Sequence, residues 1–213
     1  MMNKFTMEPN DFLRQPVKGF YRCNFYGHKH PDNPNFLYKL KNDPHHTWNS
    51  VELQRAVEDF KKCLVRDLTG ILLFAPSNKL TLCTVPRAKA EHFYRANQLL
   101  FKATVSEIAC TQYGYHDGTD FIRRHTNTKT THLRNQDNSQ NDGSMPYPGI
   151  AKDTCSFSPE IAGRDILLVD DIYTRTVNID EDMAQALFDH GAKTVTFYAI
   201  GYTVKKVRIM ESQ

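Results

Sequence analysis

The chain has 213 residues, 40% apolar and 24% charged, the composition of an ordinary globular protein with room for one decorated domain or two small ones. A net charge of +3 does not demand a nucleic-acid partner, and no apolar run is long enough to span a bilayer. MMNKFTMEPNDFLRQP lacks the apolar core of a signal peptide, so a cytoplasmic location is expected. The odd, scattered cysteines (Cys23, Cys63, Cys83, Cys110, Cys155) imply reduced, mostly buried thiols rather than a disulfide framework.

Residues 1–48 are rich in Pro, Asn, His and aromatics and show little periodicity. They are expected to form an irregular arm, packed on the main domain by Phe20, Tyr21, Phe25, Tyr26, Phe36 and Tyr38. Cys23, His28, His30, His45 and His46 could be combined into a zinc site on paper, but their spacing matches no closed structural pattern.

Asn49 and Glu52 have the spacing of a capping box, which predicts a helix to about Asp67 with Leu53, Ala56, Val57, Phe60 and Leu64 on one face. Gly70 interrupts. ILLFA (71–75) and LTLCTV (80–85) then read as short strands. A second helix is expected from about Lys89 to Ala109, with Phe93, Ala96, Leu100, Thr104 and Ile108 inward. NQDNSQNDGSMPYPG (135–149) is a long turn-forming segment whose place upstream of an acidic strand suits a mobile lid. A strand over 165–170, a helix from Ile179 to His190 ended by Gly191, and a strand TVTFYAI (194–200) make a βαβ unit. The fold class is therefore α/β with a parallel sheet, the arm covering 1–48 and the α/β domain 49–213.

The informative segment is ILLVDDIYTRTVNIDED (166–182). Adjacent carboxylates at the end of a buried strand repel each other and are costly to desolvate, so a hydroxyl-rich or cationic ligand is implied beside Asp170 and Asp171. The following IYTRTVN leads into a helix amino terminus, where Thr174, Thr176 and Asn178 add donors suited to phosphate oxygens. Carboxylates for sugar hydroxyls beside a phosphate cradle describe a ribose-phosphate site. A Walker B reading fails because the chain has no GxxxxGK[ST] loop. A receiver-domain reading fails because too few residues follow the acidic pair. A structural pair that caps the helix or binds surface cations stays open.

LLVDDIYTRTVN resembles the phosphoribosyl pyrophosphate (PRPP) motif of type I phosphoribosyltransferases: four apolar residues, two acids, then a Thr- and Gly-rich loop. TVPRAKAEHFYRANQLL (84–100) and FIRRHTNTKTTHLR (121–134), with Thr128 at a recurring threonine, resemble segments of the competence-associated, ComF-like branch. The resemblance spans about residues 70 to 200. It implies an open, mostly parallel twisted sheet with helices on both faces, and a Mg²⁺-dependent transfer of ribose phosphate from PRPP with release of pyrophosphate. By that resemblance Asp170 and Asp171 hold the ribose hydroxyls or Mg²⁺, directly or through water, and Thr174, Arg175, Thr176, Val177 and Asn178 cradle the 5-phosphate. Val85, Pro86 and Arg87 form the pyrophosphate loop, with Lys89, Arg95, Arg123 and Arg124 as further cations for the leaving group.

Three features depart from the pattern. Thr176 replaces the loop glycine, Asp180, Glu181 and Asp182 crowd the first helical turn, and residues 1–48 lack the four-cysteine zinc module common in that branch. PRPP and an unidentified acceptor, a nucleobase or an amine, are the implied partners; a homodimer is compatible with the resemblance. A PRPP-binding regulator without turnover and a nucleic-acid accessory protein remain alternatives, the latter resting on Arg14, Lys18, Lys205, Lys206 and Arg208.

Overall fold

The computed structural model describes residues 2–27, 30–41, 48–129, 143 and 149–204. In chain order they form β1 (Asn3–Met7), β2 (Val17–Phe25), α1 (Asn35–Lys41), α2 (Ser50–Leu72), β3 (Leu80–Thr84), α3 (Leu100–Thr111), β4 (Tyr115–Asp117) and β5 (Ile122–Arg124). Then come α4 (Ile150–Thr154), β6 (Cys155–Phe157), β7 (Asp165–Tyr173), α5 (Ile179–Asp189) and β8 (Thr194–Thr203). Six strands make one sheet in the order β1-β2-β8-β7-β3-β4, with β1 antiparallel and the others parallel. β5 and β6 form a separate antiparallel ribbon.

The continuous apolar run of β7 has a simple cause. Successive side chains in a strand point to opposite faces, and here both faces are covered. Ile166 and Leu168 enter a core with Phe197, Ala199 and the α5 residues Met183, Ala184 and Leu187. Leu167 and Val169 enter the other, with Phe60, Leu64 and Leu68 of α2 and Val105 of α3. All four β7 side chains are fully buried, and each contributes about 2 kcal/mol by removal from water.

The capping box at Asn49 and Glu52 is present, with Asn49 Oδ1 accepting from the Glu52 amide at 2.9 Å. The helix it opens continues past Asp67 to Leu72, so ILLFA (71–75) is not a strand. Ile71 extends the helical spacing of Phe60, Leu64 and Leu68 and is fully buried. Burial of that stripe outweighs the roughly 1 kcal/mol helix penalty of Gly70. The helix expected over 89–109 is shorter: single 3₁₀ turns at Glu91–Phe93 and Ala96–Gln98 precede α3. Phe93, expected inward, is 59% exposed.

The first 48 residues differ most from expectation. Instead of an irregular arm they hold β2, whose nine residues join the main sheet in register from Lys18 opposite Thr196 to Phe25 opposite Thr203. Gly19 is required there, because a Cβ would meet the Phe5 ring of β1 at 2.4 Å. Phe20 is fully buried, as an anchoring aromatic should be. His28, His45 and His46 of the paper zinc site, nearly all of the 135–149 segment, and Lys205, Lys206 and Arg208 lie outside the described residues. No described helix is long and apolar enough to cross a membrane.

Candidate functional site at the β3–β7 switch point

The strand after β3, β4, lies on one side of it, whereas the strand after β7, β8, lies on the opposite side. The order in which strands are added thus reverses between the parallel strands β3 and β7, which opens a crevice at their carboxyl ends, where ligands of open α/β sheets bind. The amide of Val85 donates to the carbonyl of Val169 at 3.0 Å, carrying the pairing beyond β3. The Val85–Pro86–Arg87 segment and the Asp170–Asp171 pair therefore start from neighbouring backbone positions.

On the acidic side β7 runs three residues past Asp170, which pairs with Ala199, so the two aspartates lie within the strand rather than at its end. The Asp171 amide donates to Asp170 Oδ1 at 2.7 Å. Lys41 Nζ lies 3.1 Å from Asp171 Oδ2. The Asp180 carboxyl, from the first turn of α5, faces Asp170. Part of Asp170 reaches solvent, but its carboxyl sits deep among protein atoms. Burial, and then the charge of Asp171, push it up to about 7. Burial and the facing Asp170 raise Asp180 well above the carboxylate range. Two buried carboxyls in contact cannot both ionise, so the pair holds a proton between them.

The first-turn acids of α5 turn inward in different directions. Glu181 accepts from the Tyr173 hydroxyl at 2.6 Å, and Asp182 accepts from the Ala151 amide at 2.8 Å. Burial raises both carboxyls above their ordinary range. Asp180 Oδ1 and Glu181 Oε2 are buried with no hydrogen-bond partner among the described residues. Those orphaned acceptors would be satisfied by a donor or a cation. No described set of three His, Cys, Asp or Glu side chains is arranged to hold a metal alone. Two carboxylates with water and ligand oxygens are nevertheless the donor set that Mg²⁺ commonly takes, so Asp170 and Asp171 fit it in that role.

Between the acids and α5 the chain makes a turn in which Val177 donates to the Thr174 carbonyl at 2.9 Å. The Thr174 hydroxyl is 2.7 Å from that of Thr203. Arg175 and Thr176 are exposed. Asn178 stands at the start of α5 with φ 59° and ψ 17°. It is the one non-glycine residue with positive φ among those described. The left-handed step thus falls at Asn178, which tolerates it, and Thr176 needs none. Asn178 does not cap the helix with its side chain, as expected from its type; its Oδ1 accepts from Asn10 Nδ2 at 3.2 Å instead.

The opposite wall is built on hydrogen bonds. Arg87 Nη1 donates to the Gln98 carbonyl at 2.7 Å, and its guanidinium lies 4.5 Å from the centre of the Tyr94 ring. The Tyr94 hydroxyl accepts the Lys89 amide at 3.0 Å, and Asn127 Oδ1 accepts the Ala90 amide at 3.0 Å. Thr128 donates its amide and its hydroxyl to the Ala88 carbonyl, at 2.8 and 3.1 Å. Arg124 Nε donates to the Arg87 carbonyl at 2.6 Å, and its Nη1 to the Thr154 hydroxyl at 2.5 Å. A cavity of about 40 Å³ opens between Val85, Pro86, Arg87, Lys89, Tyr94 and Lys102.

Among the expected leaving-group cations, Arg87 and Lys89 line this cavity and Arg95 and Arg123 do not. Arg123 is exposed and pairs with Asp120 at 3.3 Å. Arg124 is only 7% exposed and is committed to Arg87 and Thr154, so it is an internal strut rather than a free cation. Lys41, Tyr94, Lys102 and Asp180 were not singled out as site residues from sequence. Only Asp180 carried a signal, as part of the acidic first turn.

Compared with protein-family models and with curated protein sequences, the chain gives no significant match. Its chemistry rests on the crevice itself: paired acids with orphaned acceptors on one wall, a cationic backbone-held loop on the other, and a helix start between them.

Proposed function

We propose that the protein is a Mg²⁺-dependent phosphoribosyltransferase that takes ribose phosphate from PRPP and releases pyrophosphate. The observation that carries this reading is the switch-point crevice, where Val85–Arg87 follows β3 and Asp170–Asp171 lies on adjacent β7. In this reading Asp170 and Asp171 accept hydrogen bonds from the ribose hydroxyls. The turn 174–178 and the start of α5 hold the 5-phosphate, which the backbone amides of a helix start favour. Arg87 and Lys89 face the pyrophosphate, whereas Lys102 on the same cavity wall is already paired with Glu91 and Asp120. When bound, Mg²⁺ would neutralise charge building on the leaving pyrophosphate, held by Asp170 and Asp171. The protein's own task is to fix the ribose between the two walls and exclude water from C1.

The test is calorimetric titration of PRPP with Mg²⁺, with pyrophosphate release assayed in parallel. Saturable binding is expected, and Asp170→Asn with Asp171→Asn together should weaken it at least about 100-fold, the loss of two or more charge-assisted hydrogen bonds. Unchanged binding in that double variant removes the ribose role. A second reading, a PRPP-binding regulator, is favoured by one observation: Arg87 is already engaged by Gln98 and Tyr94. Tight binding with no pyrophosphate release, for any nucleobase or amine offered, selects it.

A further inference from the structure

The acidic wall presents an electrostatic problem that the sequence motif does not resolve. Asp170, Asp171 and Asp180 lie together where β7 meets the first turn of α5, close enough to raise one another, while Glu181 and Asp182 turn away to Tyr173 and Ala151. A ligand carrying several phosphoryl groups would meet a wall of its own sign. Lys41 changes that balance. Its ammonium lies 3.1 Å from Asp171 Oδ2, with both side chains about a quarter exposed (29% and 26%). It reaches the site from a distant stretch of sequence, at the end of α1.

The placement of Lys41 is built in. Leu37 and Leu40 are buried at 1% and 2% exposure in the core that holds Phe60 and Phe20, which fixes the rotation of α1. Upstream, buried Asn33 accepts the Tyr26 amide at 2.9 Å and donates to the Gly27 carbonyl at 2.6 Å and to the Tyr38 hydroxyl at 2.5 Å. Tyr38 in turn donates to the Gly27 carbonyl at 3.0 Å. The turn before α1 and the helix are thus tied together, and Lys41 is delivered by a fixed element rather than by a loose arm.

We propose that Lys41 is the resident cation of this site, supplying to a phosphorylated ribose part of the charge neutralisation that a divalent ion supplies elsewhere. This rests on the ribose-phosphate reading of the crevice. An ammonium has three donors and can bridge a carboxylate and a phosphoryl oxygen at once. Being covalently part of the chain, it is present before any ion arrives. Lys41 is therefore a binding residue contributed by the amino-terminal segment, and its consequence is retention of affinity for PRPP when divalent cations are withdrawn.

The experiment is calorimetry of PRPP binding to wild type, Lys41→Met and Lys41→Arg, each with Mg²⁺ and again with a chelator. Wild type should keep measurable binding in the chelator. Lys41→Met should weaken that metal-free binding about ten-fold or more, the scale of one charge-assisted hydrogen bond. With Mg²⁺ present its loss should be smaller, and Lys41→Arg should restore most of the metal-free binding. Rescue by charge and dependence on the chelator are not expected of a merely structural lysine. Wild-type binding that vanishes in the chelator overturns the proposal while leaving the ribose-phosphate reading intact, and needs no variant. Metal-free binding unaffected by Lys41→Met overturns it equally. Absence of binding with and without Mg²⁺ sinks the underlying reading and the role of Lys41 with it.

Discussion

The two walls of the crevice satisfy their polar groups in opposite ways. Residues 87–90 are held by Arg124, Thr128, Asn127 and Tyr94, with the Arg87 and Ala88 carbonyls and the Lys89 and Ala90 amides all paired. The acidic wall keeps two buried acceptors without partners among the described residues, and two carboxyls sharing a proton. Native proteins rarely leave buried acceptors unpaired, and do so where a ligand completes them. The basic wall is thus preorganised and the acidic wall is held under electrostatic tension.

The largest expected effect breaks the preorganised wall. Arg124→Ala removes donors from the Arg87 carbonyl and the Thr154 hydroxyl and leaves a cavity where a side chain only 7% exposed was packed. Orphaned buried acceptors and lost packing together should lower stability by about 3 kcal/mol or more. Denaturant unfolding measures it. A loss below about 1 kcal/mol would mean that the strut is dispensable, and the contrast between the walls would collapse.

Asp180→Asn should act in the other direction. Asp170 and Asp180 both titrate higher in the folded protein than in the unfolded chain, so between their unfolded and folded values the folded state holds more protons. Stability from this pair is therefore fully present below about pH 4, the ordinary aspartate value. It is lost as pH rises toward about 7, where Asp170 titrates. An amide at position 180 can donate to an ionised Asp170 and removes the contest for a proton. The variant should equal or exceed wild type at pH 8 by about 1–2 kcal/mol, with little advantage at pH 4. Denaturant unfolding at the two pH values decides; a difference independent of pH would show that the two carboxyls do not share a proton.

The parts legible in sequence were those with local causes. The Asn49–Glu52 cap, the buried 166–169 run and the Gly191 stop each depend on neighbours in the chain, and each is found. The parts missed were set by distant partners. β2 carries no clean alternation because the strand mixes a glycine under a phenylalanine ring with half-buried residues at its far end. ILLFA has strand-like residues, but Ile71 completes a stripe that Phe60 and Leu64 begin. In the site, the acidic pair announced itself by composition, while the Val85–Arg87 turn was pointed to only by the family resemblance. Lys41 could not, because no spacing links it to Asp171; nor could the burial of Arg124, since Arg123 beside it looks identical in sequence.

The smallest effect sharpens the comparison at the hinge between the acids and α5. Asn178 takes the left-handed conformation at φ 59° and accepts one hydrogen bond, from Asn10 at 3.2 Å on the surface. Alanine there suffers strain in that backbone region and should lower stability by about 1 kcal/mol, whereas glycine avoids the strain and should stay within about 0.5 kcal/mol of wild type. Urea midpoints for Asn178→Ala and Asn178→Gly separate the two contributions. Equal losses would assign the cost to the Asn10 bond and remove the backbone argument. If alanine alone is costly, the turn that would hold a 5-phosphate hangs on one residue's φ, while the opposing loop is held by several side chains. Ligand binding should then change the acidic wall more than the basic wall, because of the two only the acidic wall holds buried acceptors without a partner among the described residues.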